Sequence, residues 1–245
     1  MQIIELVVLS IFSKQAEINH METQNLEKKL NEIRDTLIEL EILKTDIRFI
    51  SNKETEYFNE IVQNSVFFYR TYRNSIKLFV IEICKLLNPN EDFSLIRTLN
   101  YILSNRKKIE WKRELKLDRI NELIHKIENI NFEHFKNFKY LRDKHYAHNN
   151  KNKFELEHNV TLKKCWETLL IVQEIFIELN ICLLNKQYIF SILAEEPYEI
   201  VSLLKYKRIK ELVMTELKNG PDLGKLQMVK DITLGKKPPQ NDVYN

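Results

Sequence analysis

Residues 138–150 read FKYLRDKHYAHNN, and the rest of the chain is best understood by working outward from them. Within seven positions this stretch gathers Arg142, Asp143, Lys144, His145 and His148, flanked by the apolar Phe138, Tyr140 and Leu141. A guanidinium grips phosphate through a planar fork of N–H donors, and an imidazole exchanges a proton near neutral pH. No other part of the sequence concentrates both kinds of group. In one uninterrupted helix, the step from Arg142 to His148 would turn through about 240° and rise about 9 Å, so the two would share no narrow face. His145 lies three residues from each and completes a slanting strip. A helix ending near His148 would let that imidazole swing back toward Arg142.

The surroundings point to an all-α fold. The only glycines in 245 residues are Gly220, Gly224 and Gly235. Tight hairpins and phosphate-cradling loops depend on glycine for positive φ and close backbone approach, so Walker-type loops, dinucleotide fingerprints and nucleophile elbows are excluded. Only Pro89 and Pro197 interrupt the chain before Gly220. A hydrophobic content of 44% is enough for a substantial core.

On the N-terminal side, residues 107–130 read as one amphipathic, charged helix, with His125 on or near its surface, and Phe132 begins the helix that carries the motif. Before these, Phe93 to Ser104 forms a short helix. A long helix starts after a cap at Ser51 or Asn52 and runs to Asn88–Pro89, its apolar residues three and four apart from Phe58 to Leu87. Its aromatics follow that stripe and are read as core rather than as a base-stacking platform. Residues 2–19 form a short helix. From Leu26 the positions Leu30, Ile33, Leu37, Leu40 and Ile47 make a coiled-coil-like seam to about Ile50 that needs a partner helix.

On the C-terminal side, a polar loop over 149–159 leads to a last long helix from Thr161 to about Ala194, apolar over a broad arc. A further amphipathic helix follows over 198–218. The expected organisation is therefore N-terminal helices over 1–50, a helical core over 51–195, a C-terminal helix over 196–219 and an irregular tail over 220–245. Cys84, Cys165 and Cys182 are odd in number and widely spaced, and read as buried thiols of a reducing compartment. The apolar opening from Ile3 to Phe12 is interrupted by Glu5 and is neither secretory signal nor membrane span, so a cytoplasmic protein that contacts no membrane is expected.

The motif itself resembles the signature of the HEPN superfamily of helical nucleases and nucleic-acid-binding domains. That signature is an Arg, a polar Asn, Asp or His beside it, and a His separated from the Arg by four to six residues; Arg142, Asp143 and His148 match it. The order of long helix, proline-containing turn and SLIRTL helix is also similar to abortive-infection members of the group, which extends the resemblance over roughly residues 55–185. The resemblance implies a HEPN-like helical bundle with long antiparallel helices. It also implies a homodimer in which both motifs line one cleft, with Arg142 binding phosphate, His148 catalysing and Asp143 holding neighbouring side chains. An antitoxin or other defence-system partner is implied as well. Some HEPN toxins carry a Tyr two positions after the motif His, which a partner nucleotidyltransferase modifies; Asn150 stands there in this chain.

The chemistry that fits such groups is RNA cleavage by the neighbouring 2′-hydroxyl. One imidazole deprotonates that hydroxyl or protonates the leaving 5′ oxygen, and the guanidinium stabilises charge on the phosphorane. No metal or cofactor is needed for this. An acid and a base are, so either His145 and His148 work together or two copies of His148 meet across a dimer. Net charge is +3, but residues 1–60 carry seven basic and twelve acidic groups, which leaves +8 for the remainder. Lys139, Lys144 and Lys151 lie in the resulting basic field and are candidate RNA contacts. The competing readings are a surface Arg142–Asp143 pair with His148 as a cation at a helix C-terminus, and a non-catalytic module that binds RNA or a protein.

Overall fold

The computed structural model describes residues 2–51, 65–130, 136–143 and 161–190, together with scattered positions between 204 and 227; residues 2–12 are described by backbone alone. The fold is all-α, and no strand occurs among the described residues. The helices are α1 (Gln2–Ser51), α2 (Val66–Leu87), α3 (Leu95–Asn105), α4 (Leu117–Ile130), α5 (Lys136–Leu141) and α6 (Leu162–Leu184). None of them is long and apolar enough to cross a membrane among the described residues. The chain divides into two compact units, one of Met1–Ile42 and Lys77–Ser191, the other of Leu43–Ile76 and Ile192–Asn245.

α1 corrects the expectation of two N-terminal helices, because residues 2–51 form one. The intervening HMETQN contains no Gly or Pro, and its polar side chains bond along the helix instead of capping it. Thr23 Oγ1 donates to the Asn19 carbonyl at 2.8 Å, and Gln24 Nε2 meets His20 Nε2 at 2.9 Å. The seam finds its partners within this chain: Leu26, Leu30, Ile33, Leu37 and Leu40 are fully buried in the first unit. They join Phe79, Ile83 and Leu87 of α2, Leu95, Leu99 and Ile102 of α3, Ile120, Leu123 and Ile127 of α4, and Leu169, Val172, Phe176 and Leu179 of α6 in that unit's core. Each such side chain contributes about 1.5–3 kcal/mol by leaving water.

Leu87 ends α2, since Asn88 and Pro89 begin a turn in which Asn88 Oδ1 accepts from the Asn90 N–H at 3.2 Å. Ser94 then caps α3, its Oγ accepting from the Arg97 N–H at 3.3 Å. Lys29 of α1 ties this turn down by donating to the Asp92 carbonyl at 3.2 Å.

The single helix expected over 107–130 is overturned: residues 106–116 are turn and irregular backbone, and α4 starts only at Leu117. Tertiary hydrogen bonds outcompete local helix propensity here. The Glu110 N–H donates to Thr23 Oγ1 at 2.9 Å and the Arg113 N–H to the Cys182 carbonyl at 2.9 Å, while Ile109 and Leu115 are buried. α6 likewise stops ten residues short of the expected Ala194. Asn185 takes the left-handed conformation (φ 54°, ψ 34°), which Asn tolerates, and its N–H closes on the Ile181 carbonyl. Tyr188 and Phe190 then pack on Phe176, with ring centroids at 5.5 and 5.7 Å.

In the second unit, Phe49 of α1 and Phe68 of α2 form a small buried cluster with Ile50 and Leu204. Described positions from Leu204 to Thr215 are helical, and so are Gly224 and Gln227 within the tail expected to be irregular. The start of the long helix expected after Ser51, including Phe58, Ile61 and Val62, lies outside the described residues.

Candidate functional site

α5 is a short helix held by two apolar anchors. Phe138 and Leu141, three residues apart and so on one face, are 1% and 2% exposed. Between them Lys139 is exposed and Tyr140 is half-buried. Arg142 and Asp143 follow directly with π-helical backbone. Such a widened turn re-aims side chains relative to a regular helix and is frequent at functional sites. The apolar anchors thus fix the backbone at the point where the charged pair emerges.

The Arg142 side chain is 22% exposed and that of Asp143 is 35% exposed. Arg142 Nε donates to Asp143 Oδ1 at 2.8 Å. Among the described residues this is the guanidinium's only hydrogen bond, so both Nη groups are left with donors to offer. The Asp143 hydrogen bond and charge, with smaller contributions from Cys84 and Glu91, hold Arg142 more firmly protonated than an ordinary arginine. A partly desolvated, permanently charged fork with unused donors can take two oxygens of one phosphate.

Cys84, on the half of α2 in the same unit, lies within the field of Arg142, Asp143 and Lys139. Burial pushes its thiol up to about 12 even though Arg142 opposes the shift, and burial pushes Cys165 up to about 12 as well. Both are neutral at physiological pH and serve as small core residues, not nucleophiles. Cys182 is half-buried rather than fully buried. His125 is exposed, with Nδ1 3.2 Å from Glu128 Oε2.

Of the residues singled out in the sequence, Lys139, Arg142 and Asp143 are brought together at the end of α5. His145, His148, Lys144 and Lys151 lie outside the described residues. Among the described residues no group of three or more His, Cys, Asp or Glu is placed to hold a metal ion. The closeness of Cys84 and Glu91 to Arg142 was not legible beforehand: Cys84 sits in an ordinary apolar stripe, and nothing local in the sequence links positions so far apart.

A second charged cluster escaped the sequence reading. Arg119 of α4 donates from Nε and Nη2 to the two oxygens of Glu178 on α6, at 2.6 and 2.7 Å, and from Nη1 to Glu122 at 2.6 Å. Only the step of three to Glu122 was visible in the sequence; Glu178 is 59 residues away.

A comparison with family models matches HEPN_AbiU2, described as AbiU2, over residues 23–203. This match covers more than half of the chain and contains the whole of the 138–150 stretch, α2 to α6 and most of α1. No curated protein and no solved structure matches the chain.

Proposed function

The chain belongs to the AbiU2 family of abortive-infection HEPN domains, and from that premise we propose that it is a metal-independent endoribonuclease acting in antiviral defence. It cleaves RNA through attack of the 2′-hydroxyl on the adjacent phosphorus, which leaves a 2′,3′-cyclic phosphate and a free 5′-hydroxyl. Arg142 binds the scissile phosphate and offsets the charge that builds on its oxygens. His148 moves the proton, with His145 or the second subunit's copy of the motif supplying the other half of the acid–base pair. Asp143 positions Arg142, and Lys139, Lys144 and Lys151 hold the flanking backbone. The protein works as a homodimer in the cytoplasm, restrained until infection by a partner of the same defence system.

The observation that supports this reading most directly is the state of Arg142. Asp143 fixes the guanidinium through Nε alone, half-buried and with both Nη groups uncommitted among the described residues. A purely structural arginine at this exposure would be expected to spend those donors on protein acceptors.

The test is incubation of the purified protein with total RNA in EDTA. Fragments ending in 2′,3′-cyclic phosphate are expected, and His148→Ala should slow their appearance about 10²- to 10⁴-fold. A His148→Ala protein that cuts at the parental rate removes His148 from the mechanism. A gel shift without cleavage by the parent leaves a binding module instead. If each cleft draws on both chains, mixing Arg142→Ala with His148→Ala protein restores part of the activity that neither variant has alone. A strictly monomeric species at micromolar concentration contradicts the dimer.

A further inference from the structure

We propose that the first three turns of α2 carry a binding surface for single-stranded RNA, distinct in composition from the motif and built from Arg70 and Arg73 between Tyr69 and Phe67. The proposal deepens the ribonuclease reading, on which the choice of RNA as the ligand rests. Four observations carry it.

The first is exposure. Phe68 and Ser75 turn inward, at 4% exposure each, yet Phe67 and Tyr69 are 64% and 56% exposed. Two large rings more than half in water are not part of the core that the apolar stripe of this helix builds.

The second is register. At the α-helical step, Tyr69, Arg73, Val66, Arg70 and Phe67 fall in that order across about 160° of the helix, with both arginines inside the arc and the two aromatics at its edges. A pair of cations with a ring at each edge is an arrangement that suits a flexible strand, in which guanidinium groups meet phosphates and rings receive unpaired bases.

The third is charge. Arg70 and Arg73 are exposed, and no carboxylate forms an ion pair with either among the described residues. Between Ser65 and Ile81 the sequence contains no Asp or Glu at all. Lys85 and Arg97, by comparison, each have a carboxylate beside them, Glu82 at 2.6 Å and Asp92 at 2.8 Å. A pair of cations on one face with no ion pair among the described residues fits a polyanion and disfavours a basic or apolar partner.

The fourth is order. The Arg73 guanidinium carbon lies 5.8 Å from the centre of the Tyr69 ring, an i,i+4 cation–π contact. It holds one arginine against one ring, so that a base stacking on Tyr69 leaves its phosphate next to Arg73.

The experiment uses full-length His148→Ala protein, so that cleavage does not consume the probe, and a fluorescent uridine-rich 20-mer read by anisotropy across a salt series. Arg70→Ala/Arg73→Ala is expected to lower affinity at least ten-fold and to flatten the slope of log K against log salt by about 1.4, at about 0.7 per lost phosphate contact. Tyr69→Ala is expected to lower affinity on the order of ten-fold with the salt slope unchanged. Arg70→Lys/Arg73→Lys keeps the charge and should restore most of the slope. Circular dichroism confirms that each variant folds.

Parental affinity and slope in both alanine variants would overturn the proposal, even if the parent protein cleaves RNA and the ribonuclease reading stands. A change of oligomeric state on sedimentation with RNA binding intact would also overturn it, by making the surface a protein interface. Binding through α2 by a parent that never cleaves would sustain the proposal and remove the ribonuclease reading instead.

Discussion

Arg119 and Arg142 sit on helices of the same compact unit, and they are bound in opposite ways. Arg119 is the more exposed, at 40% against 22%, yet Nε, Nη1 and Nη2 all donate to carboxylates on Glu178 and Glu122. Arg142 is the more enclosed and, among the described residues, has one hydrogen bond, to its own neighbour in sequence. Burial alone would rank Arg142 as the structural residue. Saturation of the donors reverses that order: Arg119 fastens α4 to α6, while Arg142 is held by Nε with both Nη groups uncommitted among the described residues. An arginine desolvated without being satisfied is costly unless a ligand completes it.

The sharpest way to break this comparison is to remove each guanidinium and measure both rate and stability. Arg142→Ala is expected to reduce RNA cleavage about 10²- to 10³-fold, the usual cost of losing one group that stabilises a developing oxyanion. Its melting temperature should move by less than that of Arg119→Ala, because one partly exposed ion pair between sequence neighbours contributes about 0.2–0.5 kcal/mol, the low end of such pairs. Arg142→Lys keeps a charge but loses the fork, and should recover only part of the rate. A large drop in stability with an unchanged rate would make Arg142 a second Arg119.

Arg119→Ala should do the reverse. It strands Glu122 and Glu178 near each other without their cation, at a cost of about 1 kcal/mol after allowance for solvent screening of groups this exposed. For a chain of this length that corresponds to a melting shift of about 2–4 °C, with cleavage per folded molecule retained. Glu178→Gln, which removes the charge and keeps one oxygen to accept, should cost roughly half as much.

The contrast also marks what the sequence could reveal. Leu26, Leu30, Ile33, Leu37 and Leu40 were legible as a buried seam because helical spacing is written locally, and so were the stop at Asn88–Pro89 and the start of the last long helix at Thr161. Arg142 and Asp143 were legible as a pair because they are adjacent and stand in a family motif. Residues 107–116 were misread for the opposite reason. KKIEWKREL has the charge pattern of a helix, but two of its backbone donors, those of Glu110 and Arg113, go to Thr23 and Cys182, partners more than sixty residues away. Glu178 beside Arg119 was invisible on the same ground. Residues 2–51 form one helix where two are expected because the polar side chains of HMETQN, which can cap a helix, can also bond to their own preceding turn, as Thr23 does. Exposed Phe67 and Tyr69 show the limit of the apolar stripe as a guide: it identifies the face that is buried and is silent about rings that lie off it.

Lys163 supplies the control with the smallest effect. Its Nζ lies 3.8 Å from Glu167 Oε1, one helical turn on, and the lysine side chain is 85% exposed. Three features make this pair weak. Water screens it, the order of Lys before Glu is the less favourable one along a helix, and a cation in the first turn of α6 opposes the helix dipole. Lys163→Ala is therefore expected to change stability by less than about 0.5 kcal/mol, and a matched substitution at Glu167 should show little coupling in a double-mutant cycle. If the loss instead equals that of Arg119→Ala, then proximity of opposite charges accounts for both sites, and donor saturation no longer separates the arginine that fastens two helices from the one we propose for phosphate.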